Sequence, residues 1–185
     1  MILLLGFLLF AVGDNPSQSA SVTKVLDLFD RLRAGTKTEF QLTEAEVNEY
    51  LVAALKRQPR PGLQSTQIKF FPNNYVTTYT LLDFGAVERW KPGTIPMLMR
   101  PVLTGRKTVW IDIRFHVAGG QLTYTVEKAY FEKIWLPAVV VQKVIAVVAA
   151  RQPEHYDTTK PLPLPFGLRE LRVGDKSMSG ANFQH

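Results

Sequence analysis

The sequence contains no cysteine, which excludes disulfide bonds and zinc sites built from thiolates and leaves the redox compartment open. It also lacks the common catalytic signatures: there is no G-x-S-x-G turn, no Walker loop, no G-x-G-x-x-G and no H-E-x-x-H. Its three histidines, His116, His155 and His185, lie far apart in sequence. We therefore predict a protein that is not an enzyme and that uses no metal and no other cofactor.

Acidic residues are outnumbered: 16 Asp and Glu stand against 22 Lys and Arg, which gives a net charge of +6 and a pI near 9.6. A basic balance favours anionic partners such as phospholipid headgroups, nucleic acid or cell-wall polymers, although a basic protein without a charged partner fits the same numbers. Because no RNA-binding signature and no densely basic helix occur, we predict no nucleic-acid partner. A phospholipid or other acyl-chain ligand and an anionic membrane surface fit better, and no signal specifies an oligomeric state.

A hydrophobic run long enough to cross a bilayer is also missing at the start of the chain. Residues 2–10 (ILLLGFLLF) form a nine-residue run, whereas a transmembrane helix needs about 20 residues. The run has the length of a signal-peptide core, and Ala11 and Gly13 supply a small-x-small cleavage site. The charged residues that usually precede such a core are absent, which a truncated start would explain. We predict a signal peptide or N-terminal membrane anchor at residues 1–13, a linker at residues 14–21, and export to the periplasm or the membrane-associated cell envelope; the alternative is an amphipathic or buried first helix.

The rest of the chain has ordinary globular composition. Of its 185 residues, 46% are hydrophobic and 21% are charged, which suits one folded domain with a substantial core. We predict a single α+β domain over residues 22–185.

Two amphipathic helices open this domain. Residues 21–35 carry apolar side chains on one helical face and end at Gly35. The next helix begins with Thr43 and Glu46, the T-x-x-E pattern of a capping box, and is ended by Pro59. The predicted apolar faces are Val22, Val25, Leu26, Phe29 and Leu32 in the first helix and Val47, Tyr50, Leu51, Ala54 and Leu55 in the second.

The pattern then changes to the period of a strand. Residues 65–84 are rich in β-branched and aromatic residues and are interrupted by Pro72-Asn73-Asn74, which predicts two strands joined by a turn. Residues 107–126 alternate apolar and polar side chains around Gly119-Gly120, a two-residue hairpin signal. These patterns predict an antiparallel sheet with one buried face. Val109, Ile111, Ile113, Phe115 and Val117 are expected on that face, and Trp110, Asp112, Arg114 and His116 on the other, which is either plain solvent surface or a charged patch.

The last third of the chain contains an apolar helix and a proline-rich return. Residues 136–153 run for over a dozen residues without a turn signal, so we predict a helix in spite of their many valines. A helix that is apolar nearly all round is expected to be buried on all sides. Residues 161–165 alternate proline with leucine and lack alternate N–H groups, so they should run along a sheet edge. They lead to a last hairpin around Gly174-Asp175.

The order of these elements and several short phrases resemble small bacterial envelope proteins of the tubular lipid-binding (TULIP-like) group, relatives of the bactericidal/permeability-increasing proteins. The phrases are LTEAEVNEYL, AGGQ, LP before the apolar helix, and LPLPFGLRELRVGDKSM, and the resemblance covers roughly residues 40–180. It implies an antiparallel β-sheet wrapped around, or packed on, one long apolar helix, with a groove for lipid tails. The chain departs from the larger members because it is too short for two such modules.

We therefore predict a non-enzymatic, exported lipid-binding or envelope-associated protein that holds acyl chains in an apolar groove between sheet and helix. The predicted groove residues are Ile111, Ile113, Phe115, Val140, Val144 and Val147. Two alternatives stay open. One is a cystatin-like or nuclear-transport-factor-like helix-on-sheet module that binds a protein or peptide, and the other is an enzyme of an unrecognised class.

The long connection at residues 85–107 is a second candidate binding element, because a connection of this length inside a compact domain is usually functional. It combines apolar residues, which are unusual in a solvated loop, with flanking cations. Peripheral proteins use the same combination where they contact an anionic bilayer. The predicted membrane-docking residues are Trp90, Ile95, Met97, Leu98, Met99 and Arg100. The alternative is that the segment folds back as a lid over the sheet.

Overall fold

The computed structural model describes residues 19–90, 92–93, 97, 100–101, 103–150, 157 and 160–183, and within the apolar helix it leaves the side chains of residues 144 and 147–150 undescribed. The chain is an α+β protein, and its strand pairings are antiparallel. In chain order the elements are α1 (Ala20–Arg33), β1 (Glu39–Thr43), α2 (Glu44–Arg57), β2 (Leu63–Phe71), β3 (Tyr75–Asp83), α3 (Phe84–Trp90), β4 (Arg106–Ala118), β5 (Gln121–Phe131), β6 (Ile134–Trp135), α4 (Ala138–Ala150), β7 (Leu162–Pro163), a 3-10 turn (Pro165–Gly167), β8 (Glu170–Gly174) and β9 (Ser177–Ala181).

The strands form two sheets. The large sheet has the order β2-β3-β4-β5-β6, and β7 also pairs with β5. The small sheet has the order β1-β9-β8, so its last strand in sequence lies between the other two. The turns at residues 72–74 and 119–120 join neighbouring strands of the large sheet because Asn73, Asn74 and both glycines adopt positive φ.

Helices α1 and α2 pack together on one face of the large sheet, here called the inner face, and form the main core with it. Apolar residues recur along one stripe of each helix, and burial of that stripe stabilises both helices. The centre of this core is aromatic: the ring of Phe29 lies 5.4 Å from that of Tyr50 and 5.6 Å from that of Phe166, between ring centroids. The small sheet closes the same core through Leu42 and Val173.

The capping box at the start of α2 is formed as predicted. The Thr43 hydroxyl accepts from the N–H of Glu46 at 3.2 Å, and the Glu46 carboxylate accepts from the N–H of Thr43 at 2.7 Å. The same carboxylate lies 2.7 Å from the Lys24 ammonium of α1. Burial opposes ionisation of Glu46, but the bonds to Lys24 and Thr43 outweigh it, so the pKa of Glu46 lies below its ordinary value of 4.5.

Glu46→Gln is expected to lower the free energy of unfolding by about 0.5–1 kcal/mol at neutral pH, because the charge that attracts Lys24 is lost. Since folding lowers the pKa of Glu46, its stabilisation is complete above pH 4.5 and is lost as the pH falls through the folded-state pKa. The difference between wild type and variant, measured by urea unfolding, should therefore shrink below pH 4.5. Asp27→Asn, an exposed acid on α1, is the control and should change stability little at either pH. A difference that is constant with pH would contradict the assignment.

Most of the predicted elements are confirmed: both amphipathic helices, the two hairpins of the large sheet, the helix after Pro137 and the last hairpin are present. The expected course of the proline-rich return is also confirmed, because β7 pairs with β5 at the sheet edge and buries Leu162. The small sheet, the short helix α3 and the short strand β6 were not predicted. The last hairpin belongs to a separate small sheet, and that sheet is completed by β1, a strand that the sequence pattern did not predict.

Candidate functional site

Helix α4 forms a second apolar layer on the inner face of the large sheet. Val141 is buried together with Val126 and Ala129 of β5, and Ile111 of β4 and Ile145 pack against them. Ile111 lies opposite Ala129 on the neighbouring strand. This pair is farther from the Gly119-Gly120 turn than the strand residues of the main core are. The inner face therefore contacts α1 and α2 near the turns, and it contacts α4 farther from the turns.

The start of α4 is not covered in the way the sequence pattern predicted. Val139 is 57% exposed and Val140 is 43% exposed, whereas Val141 is buried. The prediction that this helix is buried on all sides is therefore wrong for its first turn. The reason is geometric: one side of α4 contacts β5, and the described residues place nothing against the other side of that turn.

The preceding strand β6 is exposed as well. Ile134 is 62% exposed and Trp135 is 59% exposed. Eight large apolar side chains are exposed in the described part of the chain, and four of them lie within residues 134–140. We call Ile134, Trp135, Val139 and Val140 the apolar edge. Its signal was present in the sequence as the uninterrupted run IWLPAVVV, but the predicted buried helix included only residues 136–141 of this run, and Ile134 and Trp135 were assigned no role.

The predicted groove residues occupy different environments. Ile111 lies in the α4 layer and Ile113 is fully buried on the same strand. Phe115 packs in the main core with α1 and α2, and the structure does not bring it to α4. Val140 is exposed on the apolar edge. The side chains of Val144 and Val147 lie outside the described residues.

The predicted docking loop begins as a helix, because α3 extends from Phe84 to Trp90. Trp90 and Met97 are exposed. Arg100 forms an ion pair with Glu88 across 2.9 Å, so this cation is partly neutralised by the single acid of the segment. Ile95, Leu98 and Met99 lie outside the described residues, and the choice between a lid and a membrane contact stays a prediction.

An aromatic row crosses the opposite, outer face of the large sheet. Tyr79, Trp110, Tyr130 and Trp135 are direct cross-strand partners on β3, β4, β5 and β6. The ring centroids of Tyr79 and Trp110 are 5.5 Å apart, and those of Trp110 and Tyr130 are 5.2 Å apart. Such contacts stabilise neighbouring strands by packing one side chain against the next. The row ends at Trp135, which makes the apolar edge continuous with an aromatic surface.

A buried carboxylate lies beside this row. Asp112 was expected on a solvent or charged surface, but it is only 3% exposed, which corrects that expectation. Its Oδ1 atom accepts from the Thr77 hydroxyl and from the Trp110 indole N–H, each at 2.7 Å. Burial and the hydrogen bond to Asp112 raise the pKa of Tyr75 to about 12. Because its Oδ1 atom accepts from two donors of the protein, Asp112 holds the Thr77 hydroxyl and the Trp110 ring in place.

One cavity lies inside the main core and one cleft lies beside it. The cavity measures about 100 Å³ and is lined by apolar residues including Leu28, Phe29 and Phe115. Ligand pockets usually measure about 300–1,000 Å³, so this cavity is too small for a lipid. The other is an open cleft of about 530 Å³ beside the Gly119-Gly120 turn, lined by polar residues including His116 and Arg169 and by apolar residues including Val117 and Leu171. The charged residues in this mixed lining do not suit an acyl chain.

Metal binding and membrane crossing find no support within the described ranges. Among those residues no three side chains of His, Asp or Glu converge to hold a metal ion. None of the helices in the described part combines the length and apolar character that crossing a bilayer would require. Comparison of the chain with family models, with curated proteins and with solved structures finds no match.

Proposed function

We propose that this chain is a non-enzymatic, exported lipid-binding or envelope-associated protein that holds an acyl chain between α4 and the inner face of the large sheet. The observation that carries the proposal is the surplus of apolar surface on α4. Its sequence from Ala138 to Ala150 has only Gln142 and Lys143 as polar residues, yet Val139 and Val140 are exposed. Full burial of one valine side chain is worth about 1.5–3 kcal/mol, so a ligand that covers this surface gains substantial free energy.

The two apolar layers support this position for the proposed groove. The main core is closed by α1, α2 and the small sheet, and its cavity of about 100 Å³ cannot take an acyl chain. Among the described side chains, those of the α4 layer that are buried are fewer, namely Val126, Ala129 and Val141, and Ile111 and Ile145 are only partly buried at its margin. An acyl chain lying along this margin would extend the layer. In this arrangement α4 is the long apolar helix on which the sheet packs.

The envelope location rests on charge and on the N-terminal sequence. A net charge of +6 favours anionic surfaces such as phospholipid headgroups. The apolar run at residues 2–10 has the length of a signal-peptide core. Both observations support export to the periplasm or the membrane-associated envelope.

Native mass spectrometry of protein purified from its own host tests the proposal, and we expect a bound phospholipid or other acyl-chain lipid. Ile111→Trp should reduce the lipid-bound fraction, because the larger ring fills the margin of the α4 layer. Val117→Trp is the matched control, since Val117 lies on the same strand and inner face but packs against the main core. It should leave the lipid-bound fraction unchanged.

Wild-type protein without any lipid, or equal lipid in both variants, would contradict the groove. A co-purifying peptide or protein in place of lipid would favour the alternative, a cystatin-like or nuclear-transport-factor-like helix-on-sheet module. Melting temperatures of both variants separate a loss of lipid from a loss of folding, because each substitution adds volume at a partly buried position.

A further inference from the structure

The apolar edge has the composition and exposure of a contact surface. Ile134, Trp135, Val139 and Val140 are each at least 43% exposed and lie on an edge strand and the first helical turn after it. Exposed apolar groups that cluster in this way mark interaction sites, whereas single exposed apolar residues are ordinary. Elsewhere in the described residues the exposed large apolar side chains are Val52, Phe71, Trp90 and Met97, which are separated in sequence.

Within residues 133–143, which contain the apolar edge, the charged side chains are all positive. Lys133 immediately precedes it and Lys143 follows it by one helical turn, and both are exposed. Residues 133–143 contain no acid. The nearest preceding acid, Glu132, accepts a hydrogen bond from the backbone N–H of Thr108 at 2.6 Å, which directs its carboxylate to β4. An apolar segment between two lysines is complementary to a bilayer, because the interior of a bilayer is apolar and its headgroups can be anionic.

The geometry of β6 disfavours a protein strand as the occupant. Strand addition needs a long row of free backbone N–H and C=O groups at a sheet edge, and β6 offers only two residues. Its side chains, in contrast, suit a bilayer. Trp135 presents an apolar ring with one N–H, and tryptophan and tyrosine are enriched at the level of lipid headgroups. Tyr130 and Trp110, the next residues of the aromatic row after Trp135, are aromatic side chains of the same kind.

We propose that the apolar edge docks this protein edge-on on the surface of an anionic phospholipid bilayer. Ile134, Val139 and Val140 on its inner side and Trp135 on its outer side are inserted at the headgroup level, and Lys133 and Lys143 contact lipid phosphates. This inference rests on the proposed lipid-binding function, since docking at the first turn of α4 brings the groove to its source of acyl chains. It places a membrane contact at β6 and α4, and the contact predicted for the 85–107 connection stays a separate prediction.

The absence of cysteine allows a site-specific test in the full chain. Val139→Cys is labelled with an environment-sensitive fluorophore and mixed with vesicles of phosphatidylglycerol and phosphatidylcholine in equal parts. Val52→Cys is the matched control, because Val52 is also a helical valine and is 49% exposed, on α2. We expect the probe at position 139 to move into an apolar environment with these vesicles but not with pure phosphatidylcholine, and the probe at position 52 to show no change.

Binding measurements with unlabelled variants give the expected magnitudes. Val139→Asp should weaken vesicle binding at least about tenfold, which corresponds to the loss of one buried valine, and Val52→Asp should not weaken it. Lys133→Gln and Lys143→Gln should each weaken it about fivefold at low salt, since one cation near an anionic surface is worth about 1 kcal/mol. Lys56→Gln, an exposed lysine on α2, is the control for charge.

Three results would overturn the docking proposal. The first is a probe at position 139 that reports an apolar environment without vesicles, because another part of the chain or a second copy would then cover the edge. A dimer that sediments for the wild type and that Val139→Asp dissociates would identify the second copy. Equal effects of the substitutions at positions 139 and 52 would also overturn it. The third is lipid that co-purifies with a protein that does not bind vesicles, which would support the groove and contradict docking. Conversely, vesicle binding that depends on Val139 without any co-purified lipid would support docking and contradict the groove.

Discussion

Phe29→Ala is expected to lower the free energy of unfolding by about 3–5 kcal/mol, the range for removal of a buried aromatic ring. Phe29 joins three parts of the main core: it belongs to α1 and its ring contacts Tyr50 of α2 and Phe166 of the 3-10 turn. It also lines the cavity of about 100 Å³, so the new space would add to an existing void that its neighbours have not closed. Urea or guanidinium unfolding at equilibrium measures the change.

Phe71→Ala is the matched control for Phe29→Ala. Phe71 is an exposed aromatic residue of β2, and its ring contacts that of Tyr75 at 5.7 Å between centroids. Its loss should cost less than about 1 kcal/mol, in the range of a single aromatic pair at a surface. A cost below about 1 kcal/mol for Phe29→Ala as well would show that the helices do not share one core with the turn at Phe166.

Asp112→Ala is expected to lower the free energy of unfolding by about 2–4 kcal/mol. The substitution leaves the Thr77 hydroxyl and the Trp110 indole N–H without their acceptor, and an unsatisfied buried donor costs about 1–3 kcal/mol. Asp112→Asn keeps one oxygen acceptor and should cost less. Because Asp112 helps raise the pKa of Tyr75, Asp112→Asn should also lower that pKa from about 12 toward 10, which NMR of ring-labelled tyrosine can follow.

A double-mutant cycle separates the hydrogen bond from packing at this site. In Thr77→Val the donor is removed together with its hydroxyl, so adding Asp112→Ala to that background should cost less than Asp112→Ala alone. Additive costs would mean that Thr77 and Asp112 do not interact, and the assignment of Asp112 as an anchor of the outer face would fail. The same result would reopen a role for this carboxylate in ligand binding.

The parts of the fold that the sequence predicts are those encoded by local periodicity and turn chemistry. The helix starting after Thr43 has its cap and its apolar stripe within 14 residues, and the Gly119-Gly120 hairpin has its turn and its alternation within 26. Strand β1 has no such signal. Only Leu42 of its five residues is buried, and its partner β9 lies far along the chain, so its pairing is a tertiary effect.

The candidate site shows the same division. The apolar character of residues 134–141 is plain in the sequence, but exposure depends on which side of α4 faces β5, and that is decided by packing between distant elements. Asp112 illustrates the opposite case. Alternation assigns it correctly to the outer face, yet its burial depends on Thr77 and Trp110, whose side chains close over it from β3 and from its own strand. A two-residue period gives the face of a side chain and not its exposure.

The position of β9 determines when this protein can finish folding. As the central strand of the small sheet it pairs with β1 and β8, and beside it the N–H of Thr38 donates to the Asn182 side chain at 2.8 Å across 144 residues of chain. During synthesis the ribosome releases α1, α2 and both hairpins of the large sheet before β9 exists, so Leu42 and its neighbours in the core stay open to water until then. Closing such a long loop is slow compared with local folding. A nascent chain with this topology cannot reach its final state until synthesis has passed residue 181, the last residue of β9.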